Sequence, residues 1–143
     1  MHRVFVYGTL KSGHGNWFHF LKDDAAFVGH AITVKEFSMI AGGFPVVLDC
    51  DGNRGRIKGE VYDVKDKTLS ALDSLEGFRG EGDPTNMYDR KMTEVEIWDG
   101  KALITEMVGV YIGSHRFAGD RRHGSYWDVR NSSGQLEWPR ATS

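Results

Sequence analysis

The stretch MTEVEIWDGKALITEMVGVYI, residues 92–112, predicts two β-strands joined by a tight turn. Asp99-Gly100 is a dipeptide that favours a short hairpin turn, because both residues tolerate a positive φ. β-branched and aromatic residues are frequent on either side of it, in residues 92–98 and 102–112. We therefore expect these two segments to pair as antiparallel strands.

Other segments of the chain also have the composition of strands, and two have that of helices. The additional strand segments are residues 3–7, 27–34, 37–40, 45–48 and 57–64. Residues 16–22 fit a short helix with Asn16 as its N-cap, and residues 66–76 fit a longer helix that Asp66 caps and Gly77 ends. Many strands and few helices, without regular alternation, favour an α+β fold with an antiparallel or mixed, barrel-like sheet.

Length and composition limit the classes of protein to consider. A chain of 143 residues, 40% hydrophobic and 27% charged, is expected to form one domain over residues 1–143, with an irregular tail from about residue 114 to residue 143. The 18 basic and 20 acidic residues give no net charge that attracts nucleic acid or an anionic membrane. The sequence lacks a signal peptide and a membrane-length apolar run, and Cys50 is its only cysteine, so we expect a cytoplasmic protein. The oligomeric state is left open.

Basic and aromatic residues are interleaved near the C-terminus, as they are on surfaces that bind single-stranded nucleic acid. They are Arg116, Phe117, Arg121, Arg122, His123, Tyr126, Trp127 and Arg130. Asp120 and Asp128 dilute this charge, so we expect a solvated tail or a lid over a pocket, with no nucleic-acid partner. The histidines and the single cysteine have no metal-ligand spacing, and we expect neither a metal nor another cofactor.

A glycine-containing loop follows the first predicted strand. Gly8 and Gly13 have the spacing of a phosphate-binding loop, but His14 and Gly15 stand where its Lys and Ser/Thr are required, so the nucleotide interpretation fails. We expect Gly8 to adopt a positive φ and to turn backbone N–H groups towards one point, where they bind a carboxylate or an oxyanion. The alternative is an ordinary turn between a strand and a loop.

Glu76 is the candidate proton carrier. On a helical wheel it lies between Leu69 and Leu72 at the edge of the apolar face, whereas Asp73 points towards solvent. Glu76 is also the last helical residue, where the helix dipole disfavours a negative charge. Partial burial and the dipole both raise the pKa of a carboxyl group, as an acid–base catalyst near neutral pH requires. The alternative is a glutamate at a frayed helix end that reaches water.

Several short motifs together resemble the γ-glutamylcyclotransferase-like superfamily, which includes γ-glutamylamine cyclotransferases and plant avirulence-induced proteins. They are Val6-Tyr7-Gly8-Thr9-Leu10 followed by Gly13 and Asn16, Gly43-Phe44-Pro45, Leu72-Asp73-Ser74-Leu75-Glu76-Gly77-Phe78, Tyr88-Asp89-Arg90, and Val110-Tyr111. The resemblance covers about the first 112 residues, in the family's order. It implies a small mixed, mostly antiparallel β-barrel flanked by short helices.

The resemblance also implies a reaction and a site. Glu76 would be catalytic, and the γ-glutamyl part of a small-molecule amide would be bound by residues matching the family motifs, which are Tyr7, Gly8, Thr9, Leu10, Tyr88, Arg90 and Tyr111. The substrate's own α-amine would attack its γ-carbonyl and release 5-oxoproline with a free amine or amino acid, an acyl transfer within one molecule that needs no metal. The alternative is a catalytically idle binding module on the same fold, although the presence of Glu76 favours an enzyme.

Two segments depart from the compact family pattern, residues 78–87 and the tail after Gly113. Both would border the leaving-group side of the pocket, so we expect them to determine which leaving group is accepted. The basic residues in these segments that would favour a carboxylate-bearing leaving group are Arg79, Arg116, Arg121 and Arg122.

Overall fold

The computed structural model describes residues 1–8, 10–41, 44–50, 52–114, 116 and 129–139. Within these residues the chain forms seven strands and two helices. In chain order they are β1 (His2–Val6), α1 (Gly15–Phe20), β2 (Ala25–Thr33), β3 (Ser38–Ala41), β4 (Pro45–Leu48), β5 (Lys58–Val64), α2 (Asp66–Leu75), β6 (Tyr88–Trp98) and β7 (Leu103–Gly113). The described helices are too short to span a membrane.

Five strands close into a barrel in the order β1-β5-β2-β6-β7. Neighbouring strands are antiparallel except where the barrel closes, since β1 and β7 pair in parallel with Val4 opposite Gly109. The remaining strands, β3 and β4, form a separate antiparallel pair. The prediction of a small mixed, mostly antiparallel barrel with short helices is therefore confirmed.

The β6–β7 hairpin is the longest pairing in the barrel. It extends from Tyr88 opposite Gly113 to Trp98 opposite Leu103, so the predicted pair is confirmed and begins earlier than residue 92. The Asp99 carboxylate accepts backbone N–H groups of the turn at 2.8 and 2.9 Å, and Gly100 takes a φ of 95°. Gly100 therefore acts as predicted, whereas Asp99 does not adopt a positive φ and stabilises the turn through its carboxylate.

The helix boundaries differ from the predicted ones by one or two residues. Lys65, not Asp66, occupies the N-cap of α2, and the Asp66 carboxylate instead lies 2.5 Å from Nε2 of His2. The helix ends at Leu75, with Gly77 at a φ of 65° just beyond it, as predicted. Helix α1 is capped by His14 in place of the expected Asn16.

The core consists of two apolar clusters that share the first strand. Val4 and Val6 pack in a cluster with Leu69 and Leu72 of α2, whereas Phe5 belongs to a second cluster built largely from the barrel strands. This division follows from the alternation of side chains along a strand. As a result, β1 and α2 are fixed against each other at the place where the loop after β1 begins.

Candidate active site

A cavity of about 410 Å³ lies between the end of β1, the C-terminal end of α2 and the start of β6. Its lining residues are Phe5, Val6, Tyr7, Gly8, Leu10, Asn16, Phe44, Pro45, Ser74, Leu75, Glu76, Gly77, Met87, Tyr88 and Tyr111. Most of the residues predicted for the site are therefore brought together around one space. Thr9 lies outside the described residues, and Arg90 is not among the residues that line the cavity.

Glu76 supplies the only formal charge among the described lining residues. It is the C-cap of α2, and its backbone N–H donates to the carbonyl of Leu72 at 2.9 Å. Burial raises the pKa of Glu76 to about 7, because an apolar surrounding disfavours the charged carboxylate. At neutral pH this group can therefore both accept and return a proton.

Three buried tyrosines line the same cavity as this carboxyl group. Burial is the largest cause that raises the pKa values of Tyr7, Tyr88 and Tyr111. The negative charge of Glu76 raises each of these pKa values further. Their phenols therefore stay protonated and can act as hydrogen-bond donors. The Tyr7 hydroxyl already donates to the backbone carbonyl of Tyr111 at 2.7 Å and accepts from the Val47 N–H at 3.3 Å.

Asp73 links Tyr111, which lines the cavity, to Arg90, which does not. Its carboxylate accepts the Tyr111 hydroxyl at 2.6 Å and lies 3.0 Å from Nε of Arg90. The Arg90 guanidinium in turn lies 5.2 Å from the ring centroid of Phe78. The structure thus places Arg90 against Asp73, one residue removed from the cavity.

The expectation that Asp73 points towards solvent is wrong, since its side chain is only 21% exposed. A helical wheel considers one helix alone, and it contains no information about Tyr111 on β7. The sequence did carry a signal for Asp73, because this residue stands three positions before Glu76 in the Leu-Asp-x-Leu-Glu-Gly motif.

Position 8 requires a glycine because the backbone passes close to Pro45, and not because it adopts an unusual conformation. The expectation of a positive φ at Gly8 is wrong, since Gly8 is not among the glycines that adopt one. A Cβ atom at this position would lie 2.8 Å from Cγ of Pro45, closer than side chains tolerate. The loop then turns at once, because the Lys11 N–H donates to the Gly8 carbonyl at 3.0 Å.

Residues 78–87 form an ordered turn held by Asn86. The fully buried Asn86 side chain accepts the Arg79 N–H at 2.7 Å and donates to the Gly80 carbonyl at 2.8 Å. The segment reaches the cavity through Met87, whereas neither Arg79 nor Arg116 is among the residues that line it. Arg121 and Arg122 lie outside the described residues.

The described residues contain no group of three or more His, Cys, Asp or Glu side chains that could hold a metal ion. Among the described residues that line the cavity, the polar groups are one carboxyl group, the phenols, backbone groups and the side chains of Asn16 and Ser74.

Sequence comparison assigns the chain to a known family. Residues 4–129 match the model of the family described as gamma-glutamyl cyclotransferase, AIG2-like. The chain is 34% identical to the gamma-glutamylaminecyclotransferase of Mus musculus over 108 residues, 70% of this chain and 68% of the relative. It is 33% identical to the gamma-L-glutamyl-butirosin B gamma-glutamyl cyclotransferase of Niallia circulans over 104 residues, 72% of this chain and 64% of the relative.

Structural comparison finds the same kind of protein. The crystal structure of an AIG2-like protein from Mus musculus superposes with a TM-score of 0.70 at 28% sequence identity. The superposition covers 100% of this chain and 99% of that one.

Proposed function

Because the chain belongs to the gamma-glutamyl cyclotransferase, AIG2-like family, its function is that of a gamma-glutamyl cyclotransferase, and we propose that it releases 5-oxoproline from a γ-glutamyl amide. The observation that carries the proposal is Glu76, a carboxyl group inside the 410 Å³ cavity with its pKa raised to about 7 by burial. In this proposal Glu76 is the only group that takes up and returns a proton.

The substrate itself supplies the nucleophile. The α-nitrogen of a γ-glutamyl amide attacks its own γ-carbonyl carbon and closes a five-membered ring, so both reacting groups arrive on one molecule. A site that holds the substrate in this folded conformation can lower the barrier by up to ~7–11 kcal/mol in well-oriented systems. We propose that the main task of the cavity walls is to impose this conformation.

Glu76 carries the proton from one nitrogen to the other. The α-amine of the substrate is an ammonium ion at neutral pH and cannot attack until it loses a proton, which the Glu76 carboxylate accepts. After attack, protonated Glu76 donates this proton to the nitrogen of the breaking C–N bond, and the amine leaves. The restored Glu76 carboxylate then accepts the second proton of the former ammonium group from the ring nitrogen, which becomes the lactam N–H, and passes it to the departing amine or to water. A pKa near 7 suits both steps, because neither form of the carboxyl group is strongly disfavoured at neutral pH.

Neutral donors bind the charged parts of the substrate. The described lining residues include no lysine or arginine, and we propose that N–H and O–H groups bind the substrate's α-carboxylate and the developing oxyanion. We assign this role to the backbone around Tyr7, Gly8, Thr9 and Leu10 and to the phenol of Tyr88. Tyr111, whose hydroxyl donates to Asp73, contributes its ring to the substrate-binding wall of the cavity. Arg90 acts through Asp73, which it pairs with, and not by touching the substrate.

The reaction proposed here consumes no metal, nucleotide or redox cofactor, since the proton and the nucleophile are both accounted for. The partner is a small-molecule amide, and residues 1–143 act as one domain. Cytoplasmic location is part of the same proposal and is supported by the presence of a single cysteine, Cys50, which allows no disulfide within the chain.

A product assay tests the proposed function. Purified protein is incubated with a set of γ-glutamyl amides whose leaving groups are simple amines, amino acids or peptides, and 5-oxoproline, glutamate and free amine are quantified. We expect 5-oxoproline and amine in equal amounts. Release of glutamate in place of 5-oxoproline would mean hydrolysis by water, and binding of these amides without any product would favour the idle binding module.

A further inference from the structure

We propose that the C-terminal segment, residues 130–139, is a positioning element for the active-site loop, residues 7–14, and that it acts through Lys11. This inference rests on the proposed function, because it concerns how the substrate-binding loop is held. This segment lies in the part of the chain that was expected to be an irregular tail. Of residues 114–129, which join it to β7, the structure describes Ser114, Arg116 and Val129.

The C-terminal segment is fastened to the start of β5. Leu136 is fully buried in the second apolar cluster and forms an isolated parallel bridge with Ile57. Its backbone accepts the Lys58 N–H and donates to the Arg56 carbonyl, both at 2.9 Å. The residues that follow Leu136 therefore leave the barrel from a fixed point.

Lys11 joins this fixed segment to the active-site loop. It is only 4% exposed, and its ammonium group donates to the Trp138 carbonyl at 2.6 Å. The Glu137 carboxylate lies 4.0 Å from the same ammonium group and 3.9 Å from that of Lys58. Because an ammonium ion is costly to bury without partners, these contacts are expected to persist in the folded protein.

The active-site loop has an inner and an outer side. Tyr7, Gly8 and Leu10 line the cavity on the inner side. The outer side is held at Lys11 and at Ser12, whose N–H donates to the Glu60 carboxylate at 2.7 Å. Lys11 is adjacent to Leu10 and bonds through its own N–H to the Gly8 carbonyl, so a displacement of Lys11 is passed directly to the cavity wall.

Loss of the Lys11 contact should weaken substrate binding without disturbing the proton carrier. Glu76 is the C-cap of α2, a helix that these contacts do not involve. We expect a rise in KM with kcat little changed, the signature of a lost binding interaction that is equal in the ground and transition states.

Three variants test this inference. Lys11→Met keeps the apolar stem and removes the ammonium group, a chain ending at Leu136 removes Trp138 and Glu137, and the third variant combines both changes. Matched controls are Lys101→Met, in the exposed β6–β7 turn, and a chain ending at Pro139, which keeps Trp138. Folding is checked by circular dichroism, and kcat and KM are measured for the best γ-glutamyl amide.

We expect KM to rise by about tenfold in Lys11→Met, kcat to stay within about threefold, and both controls to match the parent chain. The combined variant should be no worse than the more affected single variant, because both changes break one contact. A KM for Lys11→Met within about twofold of the parent, or full additivity in the combined variant, overturns the inference.

Amide hydrogen exchange separates this inference from the proposed function. If the parent chain makes no 5-oxoproline, the proposed function fails, and exchange in residues 7–14 still decides the positioning role. Faster exchange there in Lys11→Met, or in the chain ending at Leu136 if Lys11→Met does not fold, supports it. Unchanged exchange in that segment overturns it.

Discussion

At the scale of single residues, the chemistry depends on where α2 ends. Glu76 follows the last helical residue, Leu75, and is therefore held at the cavity by a rigid element and not by a mobile loop. Its pKa is raised by burial, so the group keeps this property only while its surroundings stay largely apolar.

This property leads to a prediction about pH. The carboxylate is the form of Glu76 that accepts the substrate's proton, so kcat/KM should fall as the pH drops through about 7 and then decrease by about tenfold for each further pH unit. The substrate's own ammonium group stays protonated below about pH 7, where the fall is expected, and does not contribute to it. Initial rates between pH 5.5 and 8 measure the effect.

Circular dichroism at the lowest pH provides the control, since unfolding would also abolish activity. A flat kcat/KM profile between pH 5.5 and 8, measured on folded protein, would show that Glu76 does not titrate in the range that burial implies.

Asp73 is predicted to orient Tyr111 from behind the cavity. Asp73→Asn keeps the shape of the side chain but removes the negative charge of the carboxylate, which pairs with Arg90 and accepts a hydrogen bond from the Tyr111 hydroxyl. We expect kcat/KM to fall by about tenfold, the range expected for losing a charge-assisted hydrogen bond. Steady-state kinetics on Asp73→Asn and Tyr111→Phe, alone and combined, measure it.

Asp23→Asn is the matched control, because Asp23 is exposed in the turn before β2. The Asp73 and Tyr111 variants should be strongly non-additive, as expected for two partners of one hydrogen bond. Wild-type kinetics in Asp73→Asn would mean that Tyr111 keeps its position without this partner.

At the scale of elements, the loop after β1 fits closely against β4. The missing side chain of Gly8 lets the loop approach Pro45, the first residue of β4, and any Cβ atom would force the two apart. Gly8→Ala should therefore displace the cavity wall and lower kcat/KM by at least about tenfold, because small displacements of positioning groups are costly in catalysis.

Gly15→Ala is the matched control for this prediction. A Cβ atom at Gly15, the first residue of α1, would meet nothing within 4 Å, so this variant should retain full activity. Equal activity of the two alanine variants would mean that the contact between Gly8 and Pro45 has no part in catalysis.

Local sequence patterns predicted the presence of helices and strands better than the residues at which they begin and end. The Asp99-Gly100 turn and the glycine after α2 could be recognised because each depends on the conformational preference of a residue in the turn itself. The N-cap of α2 could not, because Asp66 contacts His2, which is distant in sequence. The same limit applies to Gly8, whose neighbour Pro45 is brought close only by folding.

At the scale of the whole molecule, strand patterns indicated an α+β fold with a barrel-like sheet but not which strands pair to close it. The parallel pairing of β1 with β7 joins the two ends of the barrel, and no local pattern in either strand specifies it. The family resemblance implied a barrel, and both the fold and the family are confirmed. The single-domain boundary at residues 1–143 stays a prediction.

Residues 78–87 and the tail after Gly113 were expected to select the leaving group, but both also contribute buried side chains to the packing of the protein. Leu136 is buried, so removal of everything after Gly113 would disrupt the core as well as any binding surface. At the cavity, the large exposed apolar side chains are Phe44, Leu75 and Met87, whereas Arg79 and Arg116 are not among the described lining residues. Selection of a carboxylate-bearing leaving group by the arginines stays a prediction.

The most direct test of the central claim is the rate of 5-oxoproline release by Glu76→Gln. This change preserves size and burial but removes the proton carrier, so we expect kcat to fall by about a thousandfold while folding and substrate binding are retained. Folding is verified by circular dichroism and binding by calorimetry. A folded Glu76→Gln variant that binds substrate and keeps kcat within about tenfold of the parent chain would contradict the assignment of Glu76 as the proton carrier.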